Sequence, residues 1–218
     1  MVLELGPGYS LDVAILEEIH EGLRTGLRRL PGRPMAVKGN AWERLQQSSG
    51  LFEDPGMLEP APLLIRRTEN PEMRLHLLMQ GGGPAIRGRT YRIFHRHDTK
   101  VLLDQIVEWA KRAVSELGCS PCVLAVGIGR SNFEAASLMT FAQIDANFDK
   151  QTDIERYISN QVNLARIGAL GLGGETSVLA SFVKVGPQRA SGVRVVSLRP
   201  CCCFEPRHAS AAIEINNG

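Results

Sequence analysis

The apolar run Cys122 to Val126 passes straight into Gly127-Ile128-Gly129 and then into Ser131-Asn132-Phe133-Glu134, which has the spacing of a capping box. A run of strand length that is apolar at every position reads as a strand buried on both faces, and here it turns through glycine into the start of a helix. That order commits the middle of the chain to an α/β arrangement. The flanking periodicities agree. Met73, Leu75, Leu77 and Met79 alternate with polar residues and predict a strand that ends at Gly81-Gly82-Gly83, and Tyr91 to Phe94 predicts a second short one. Leu103, Ile106, Val107, Ala110, Val114 and Leu117 fall at helical spacing before Gly118, and Thr152 with Glu155 repeats the capping-box signal ahead of Ile154, Ile158, Val162 and Ala165. Strands are predicted over 178–185, 193–198 and 211–215. The expected fold is a mixed β-sheet packed with helices, without internal repeats.

Toward the N-terminus, Ile15, Ile19, Leu23, Leu27 and Leu30 recur every three or four residues, so Leu11 to Leu30 predicts an amphipathic helix capped by Ser10 and stopped by Pro31-Gly32. From Pro31 to Pro71 prolines and glycines recur and no period dominates, apart from a short helix over Ala41 to Gln47. Lys and Arg number 25 against 23 Asp and Glu, a balance too even to argue for a nucleic-acid partner. No secretory leader and no apolar stretch of membrane-crossing length is read, so a cytoplasmic protein is expected.

All five cysteines fall in two places, Cys119 with Cys122 and the triplet Cys201-Cys202-Cys203. In a reducing compartment such clusters suit thiols or metal ligands better than disulfides. Cys119-Ser120-Pro121-Cys122 has the spacing of a zinc or redox pair, and buried inert cysteines are the plain rival. Adjacent strand residues alternate faces, so at most Cys201 and Cys203 look the same way. Gly127 and Gly129 open a strand-to-helix turn whose N–H groups, helix dipole and Arg130 could hold a carboxylate or phosphate, with a tight packed turn as the equal alternative. Gly171 to Thr176 is glycine-rich but has Glu175 before Thr176, which excludes a P-loop.

Taken in order, Gly81-Gly82-Gly83, Cys119-Ser120-Pro121 with Gly127-Ile128-Gly129, Gly171-Leu172-Gly173-Gly174-Glu175-Thr176, and Cys203 followed four on by Arg207 resemble the class I fumarase family. The likeness is to the α subunits of two-subunit fumarate hydratases and L-tartrate dehydratases, and it runs from about Leu51 to Ile213. It implies one domain over 1–218, with a helical N-terminal part over 1–50 and a family-like core over 51–218. It further implies a hydro-lyase acting on a small hydroxy-dicarboxylate, a 4Fe-4S cluster held by three cysteines, a separate β-subunit-like partner and an oligomer. By the same resemblance Cys119 and Cys203 match two cluster cysteines. Gly82, Gly83, Gly127, Gly129, Gly173, Gly174 and Arg207 fall in substrate-binding segments, and Asp54 is the candidate acid or base.

Phe52 stands where the family has its first cluster cysteine, so a third thiolate has to come from Cys122, Cys201 or Cys202. Gln80, Glu175 and Gln188 stand where the family has Lys, Lys and His. The loss of several polar groups together is what altered chemistry produces. The alternatives are a non-catalytic relative that binds a small carboxylate, and a zinc domain.

Overall fold

The computed structural model describes residues 1–30, 35–202 and 207–214. The expected helix stop at Pro31-Gly32, Cys203, the side chain of Arg207 and the end of the strand expected to reach Ile215 lie outside the described residues. In chain order the elements are β1 (Val2–Leu5), α1 (Val13–Arg29), α2 (Ala41–Gln46), β2 (Leu64–Arg67), β3 (Met73–Met79), α3 (Gly82–Arg87), β4 (Arg89–Phe94), α4 (Thr99–Ser115), β5 (Cys122–Gly129), α5 (Asn132–Ile144), α6 (Asp153–Asn163), β6 (Val178–Val185), β7 (Val193–Cys201) and β8 (Arg207–Ile213). Short 3₁₀ turns occupy Pro55–Met57 and Ala169–Gly171. The strands make two mixed four-stranded sheets, ordered β2-β1-β3-β8 and β4-β7-β5-β6. The mixed α/β architecture is the one the sequence predicts. The chain divides into two compact units, residues 1–76 with 210–218, and residues 77–209.

In the first unit β1 pairs parallel to β2 and antiparallel to β3. Leu3, Leu5 and Met73 face α1 and close a small core with Ile19, Ile15 and Leu23. Helix α1 starts two residues later than expected, because the Asp12 carboxylate, rather than Ser10, accepts the Ile15 N–H at 2.9 Å. Strands β1 and β2 escape sequence reading because four residues are too few to establish a period. Glu4, also on β1, is buried and accepts from Arg66 of β2, with His76 Nε2 3.4 Å away.

The second unit holds the larger core. β5 is central, parallel to β6 and antiparallel to β7, and β4 pairs antiparallel with β7 at the edge. Cys122, Leu124, Val126 and Ile128 face α4 and α6, where Ile106, Val107, Ala110, Val114, Ile158 and Val162 cover them. Val123 and Ala125 face the other way, toward Ala142 and Met139 of α5. A strand buried at all eight positions is thus explained by helices on both faces. Each fully buried Leu or Ile contributes about 1.5–3 kcal/mol, so these two layers hold most of the unit's hydrophobic stabilisation.

Two local departures follow from backbone chemistry. After β3 the glycines begin α3 with Pro84 in the first turn, where its missing N–H costs nothing. Helix α6 keeps its predicted Thr152 and Glu155 capping box but stops at Asn163, leaving Ala165 outside.

Candidate functional site

The two ends of the second sheet differ in kind. At the C-terminal end of β5, Gly127 and Gly129 lie under α5. A Cβ on Gly127 would stand 2.0 Å from the Ala135 carbonyl oxygen and 2.3 Å from the Met139 nitrogen, and one on Gly129 would stand 2.8 Å from the Ala135 nitrogen. Both residues are hydrogen-bonded in the sheet, Gly127 opposite Lys184 of β6 and Ser197 of β7. The α5 N-terminus already has its anion, since Glu134 accepts from the backbone N–H and the guanidinium of Arg130, while the Ser131 hydroxyl caps the Glu134 N–H. These hydrogen bonds with Arg130 hold the Glu134 carboxyl below its ordinary range. At Gly127 and Gly129 the absence of side chains lets a helix and a strand approach. Gln188 tightens the same end by donating to the carbonyls of Ile128 and Gly186.

The remaining motifs of this unit meet at the opposite end. Antiparallel pairing sets Val123 opposite Cys201, so Cys119, four residues before Val123, and Cys202, just past β7, project beyond the same edge. The Ser120 hydroxyl donates to the Gly168 carbonyl at 2.6 Å, and the Cys122 N–H donates to Ser177 O at 3.0 Å, which fastens the Cys119 turn to the glycine-rich loop. Asn163, at the end of α6, accepts from the N–H groups of Ser177 and Val178 and donates to Val178 O. Between them the backbone is unusual. Arg166, Gly168, Leu170, Gly171, Gly173 and Gly174 all have positive φ. For Arg166 and Leu170 that conformation costs about 1–3 kcal/mol each and is kept only where the surroundings over-determine it. A surface pocket of about 320 Å³ lined by Asn160, Asn163, Leu164, Arg166 and Glu175 opens beside this loop.

Gly82 and Gly83 reach the same end because α3 precedes β4, whose Arg89 pairs with Leu198. Nothing stands within 4 Å of a Cβ on either glycine, and both are exposed. Arg87 ties α3 down through the Gly83 carbonyl at 2.9 Å and the Glu116 carbonyl at the end of α4.

The four described thiols do not form one set. Cys119 is exposed, Cys202 partly buried, and Cys122 and Cys201 are fully buried. Cys122 packs with the α4 and α6 layer, whereas Cys201 packs with Val123 and Ala142 on the opposite face. Packed in different layers, Cys122 and Cys201 are not placed to serve one ion together. Among the described residues no group of three or more His, Cys, Asp or Glu side chains is arranged to hold a metal. Cys203, the second cysteine matched by the family resemblance, lies outside the described residues.

In the first unit Asp54 caps the 3₁₀ turn, accepting from Gly56 N–H at 2.8 Å, and takes a forked hydrogen bond from Arg28 at 3.0–3.2 Å. The Arg28 guanidinium, with the Gly56 N–H, holds its carboxyl below the usual range. A carboxylate so held is a weak base, and these contacts favour a structural role over acid-base work. Phe52 stacks under the Lys38 ammonium at 5.6 Å rather than offering any donor.

Two buried polar residues of the second unit went unread in the sequence. Gln143, in the last turn of α5, is 2% exposed, and Arg199 of β7 is 3% exposed. The alternation of Ser197, Arg199 and Cys201 against Val196 and Leu198 was the available signal for Arg199.

Comparison with known proteins decides the family. The family model described as "Fumarate hydratase (Fumerase)" matches residues 1–212. The chain belongs to the fumarate hydratase family. A curated relative from Methanocaldococcus jannaschii, named "Putative L(+)-tartrate dehydratase subunit alpha", is 24% identical over 196 residues, covering 88% of this chain and 65% of that protein. The chain thus spans slightly less than two thirds of that relative's length. Among the described residues no helix is long and apolar enough to cross a membrane.

Proposed function

We propose that this chain is the α-type subunit of a hydro-lyase for a small hydroxy-dicarboxylate, acting with a separate β-like chain in the cytoplasm. The observation that supports the reading is the meeting of the first family-like cysteine and a glycine-rich loop at one end of the second sheet. Cys119, the loop over Gly168 to Gly174 and the end of β7 are fastened there by Ser120, Ser177 and strand register. Backbone held in left-handed conformations by side-chain clips is what a preformed ligand loop requires, because the ordering is done before the ligand arrives.

The family's chemistry draws on a 4Fe-4S cluster that polarises the departing hydroxyl. Cys119 and Cys203 hold the matching positions, and Cys202 is the third thiol whose place at the sheet edge suits the same end. The test is anaerobic reconstitution with iron and sulfide, followed by iron and acid-labile sulfide analysis, and turnover assays on fumarate, malate and tartrate with a β-like chain supplied. The expected result is a brown protein that turns over one of these acids only with the second chain. A colourless, metal-free product without turnover overturns the reading.

The cysteine geometry favours a second reading, a repurposed relative that binds a dicarboxylate and does no chemistry. Phe52 in the first ligand position and the burial of Cys122 and Cys201 on opposite faces both point that way. It predicts diacid binding that persists in the Cys119→Ser, Cys203→Ser double variant.

A further inference from the structure

Helix α5 leaves β5 at Gly129 and runs back over it, so that Ala135 lies above Gly127 and Ala142 packs on Val123 and Cys201. Its last turn therefore ends at the edge where the motifs meet. Gln143, the neighbour of Ala142, is 2% exposed, and its Nε2 is buried with no hydrogen-bond partner. Its Oε1 accepts from Gln80 Nε2 at 3.3 Å, and in this arrangement the donor end of Gln143 is the side that has nothing to bond. Gln80 is exposed and stands immediately before the glycines that open α3. On the same face of β7 as Cys201, Arg199 is 3% exposed, and its Cβ lies 3.7 Å from where a Cβ of Gly88 would stand. A buried amide donor without an acceptor costs about 1–3 kcal/mol, and natural chains keep such a group where it has other work.

We propose that Gln143, paired with Gln80, donates to one carboxylate of the ligand and so forms an acid-recognition subsite made entirely by this chain. A small carboxylate matches in two respects. It only accepts hydrogen bonds, and its charge makes the hydrogen bond from a neutral N–H stronger than a neutral amide or alcohol oxygen would. The inference deepens the reading given under Proposed function and rests on it for the identity of the acid.

The experiment is titration of the full chain with L-malate, L-tartrate, succinate and the uncharged malamide, followed by calorimetry and thermal unfolding, in wild type, Gln143→Leu and Gln80→Ala. The wild type binds at least one diacid and not malamide. Gln143→Leu weakens that binding at least about tenfold, equal to about 1.4 kcal/mol. In the absence of ligand it unfolds about 2–4 °C higher, because a buried donor lacking an acceptor has been removed. Gln80→Ala, at an exposed position, weakens binding by a smaller factor.

Gln143→Leu that unfolds earlier and binds the diacid as tightly as wild type overturns the proposal in favour of a structural amide. So does a wild type that binds no diacid at millimolar concentration. Should Gln143→Leu not fold, unchanged affinity in Gln80→Ala overturns it instead. Failure here is distinguishable from failure of the functional reading. Turnover with an unaltered KM in Gln143→Leu sinks the subsite and leaves the hydro-lyase, whereas diacid binding lost in Gln143→Leu without turnover in any form does the reverse.

Discussion

Glycines crowd both ends of the second sheet, and they are there for opposite reasons. At the α5 end, Gly127 and Gly129 have ordinary strand backbone, and what forbids a side chain is the helix lying on top of them. At the cysteine end, Gly171 and Gly173 have open space above them and positive φ, so what forbids a side chain is the backbone conformation itself. The first kind of glycine serves packing, and the second serves the shape of a loop. Identical letters in the sequence thus mark a closed end and an open one, and only the open end has room for a ligand.

The largest expected effect breaks the closed end. Gly127→Ala places a methyl group 2.0 Å from the Ala135 carbonyl oxygen, against backbone that cannot swing aside. Helix α5 has to lift from the sheet, at a cost of about 3 kcal/mol or failure to fold. Denaturant unfolding measures it. A loss below about 1 kcal/mol would mean that α5 is loosely seated and that the packing account of this end is wrong.

That distinction also sets how far the sequence could be read. The apolar run at Cys122, the Ser131 cap, the capping box at Thr152 and the helical period through α4 are local signals, and the fold honours them, though the Glu134 carboxylate turns to the Arg130 N–H and leaves the expected box at Ser131 half made. The resemblance to class I fumarases likewise rests on local motifs, and the family match bears it out. What stayed hidden depends on which strand lies beside which. Nothing in the order of residues says that β7 runs antiparallel against β5, the register that puts Cys122 and Cys201 on opposite faces and gathers Cys119, Gly168 and Cys202 at one edge. Nor could Asp54 be recognised as a partner of Arg28 across 26 residues.

Second in size is a contrast between thiols. Cys201→Ser buries a hydroxyl among Val123, Ala125 and Phe182 and is expected to cost about 1–3 kcal/mol. Cys119→Ser, at an exposed position, should stay within about 0.5 kcal/mol of wild type. Thermal unfolding of both variants under reducing conditions checks it, and a large loss at Cys119 would reveal a structural metal instead.

Next, Gly173→Ala tests the open end. Its Cβ meets nothing within 4 Å, but the φ of +92° is hostile to any side chain, and the cost should be about 1–2 kcal/mol. Because that strain is local, the effect should fall on the loop's hydrogen-exchange protection as well as on the unfolding midpoint. An unchanged loop would mean that its conformation is not over-determined.

A smaller effect returns to the closed end, where Glu134 fills the helix N-terminus. The Arg130 hydrogen bonds hold its carboxyl below the ordinary range, so its contribution is complete above that range and is lost as the pH falls through the depressed value. Gln in its place should therefore lower the unfolding midpoint at neutral pH, and the gap to wild type should close below about pH 4. Phosphate should stabilise Glu134→Gln more than wild type, because the substitution hands the N-terminus back to an outside anion.

Smallest, and opposite in sign, is Gly82→Ala. Gly82 begins α3 with open space above it and no positive φ, so neither reason that holds the other glycines applies. Alanine loses less backbone entropy on folding and should stabilise the chain by about 0.5–1 kcal/mol. If the glycine is there for a ligand, the same substitution weakens diacid binding while raising the unfolding midpoint, and titration with L-malate alongside thermal unfolding separates the two. A gain in stability with binding intact would leave the open end to the loop over Gly168 to Gly174 and the thiols beside it.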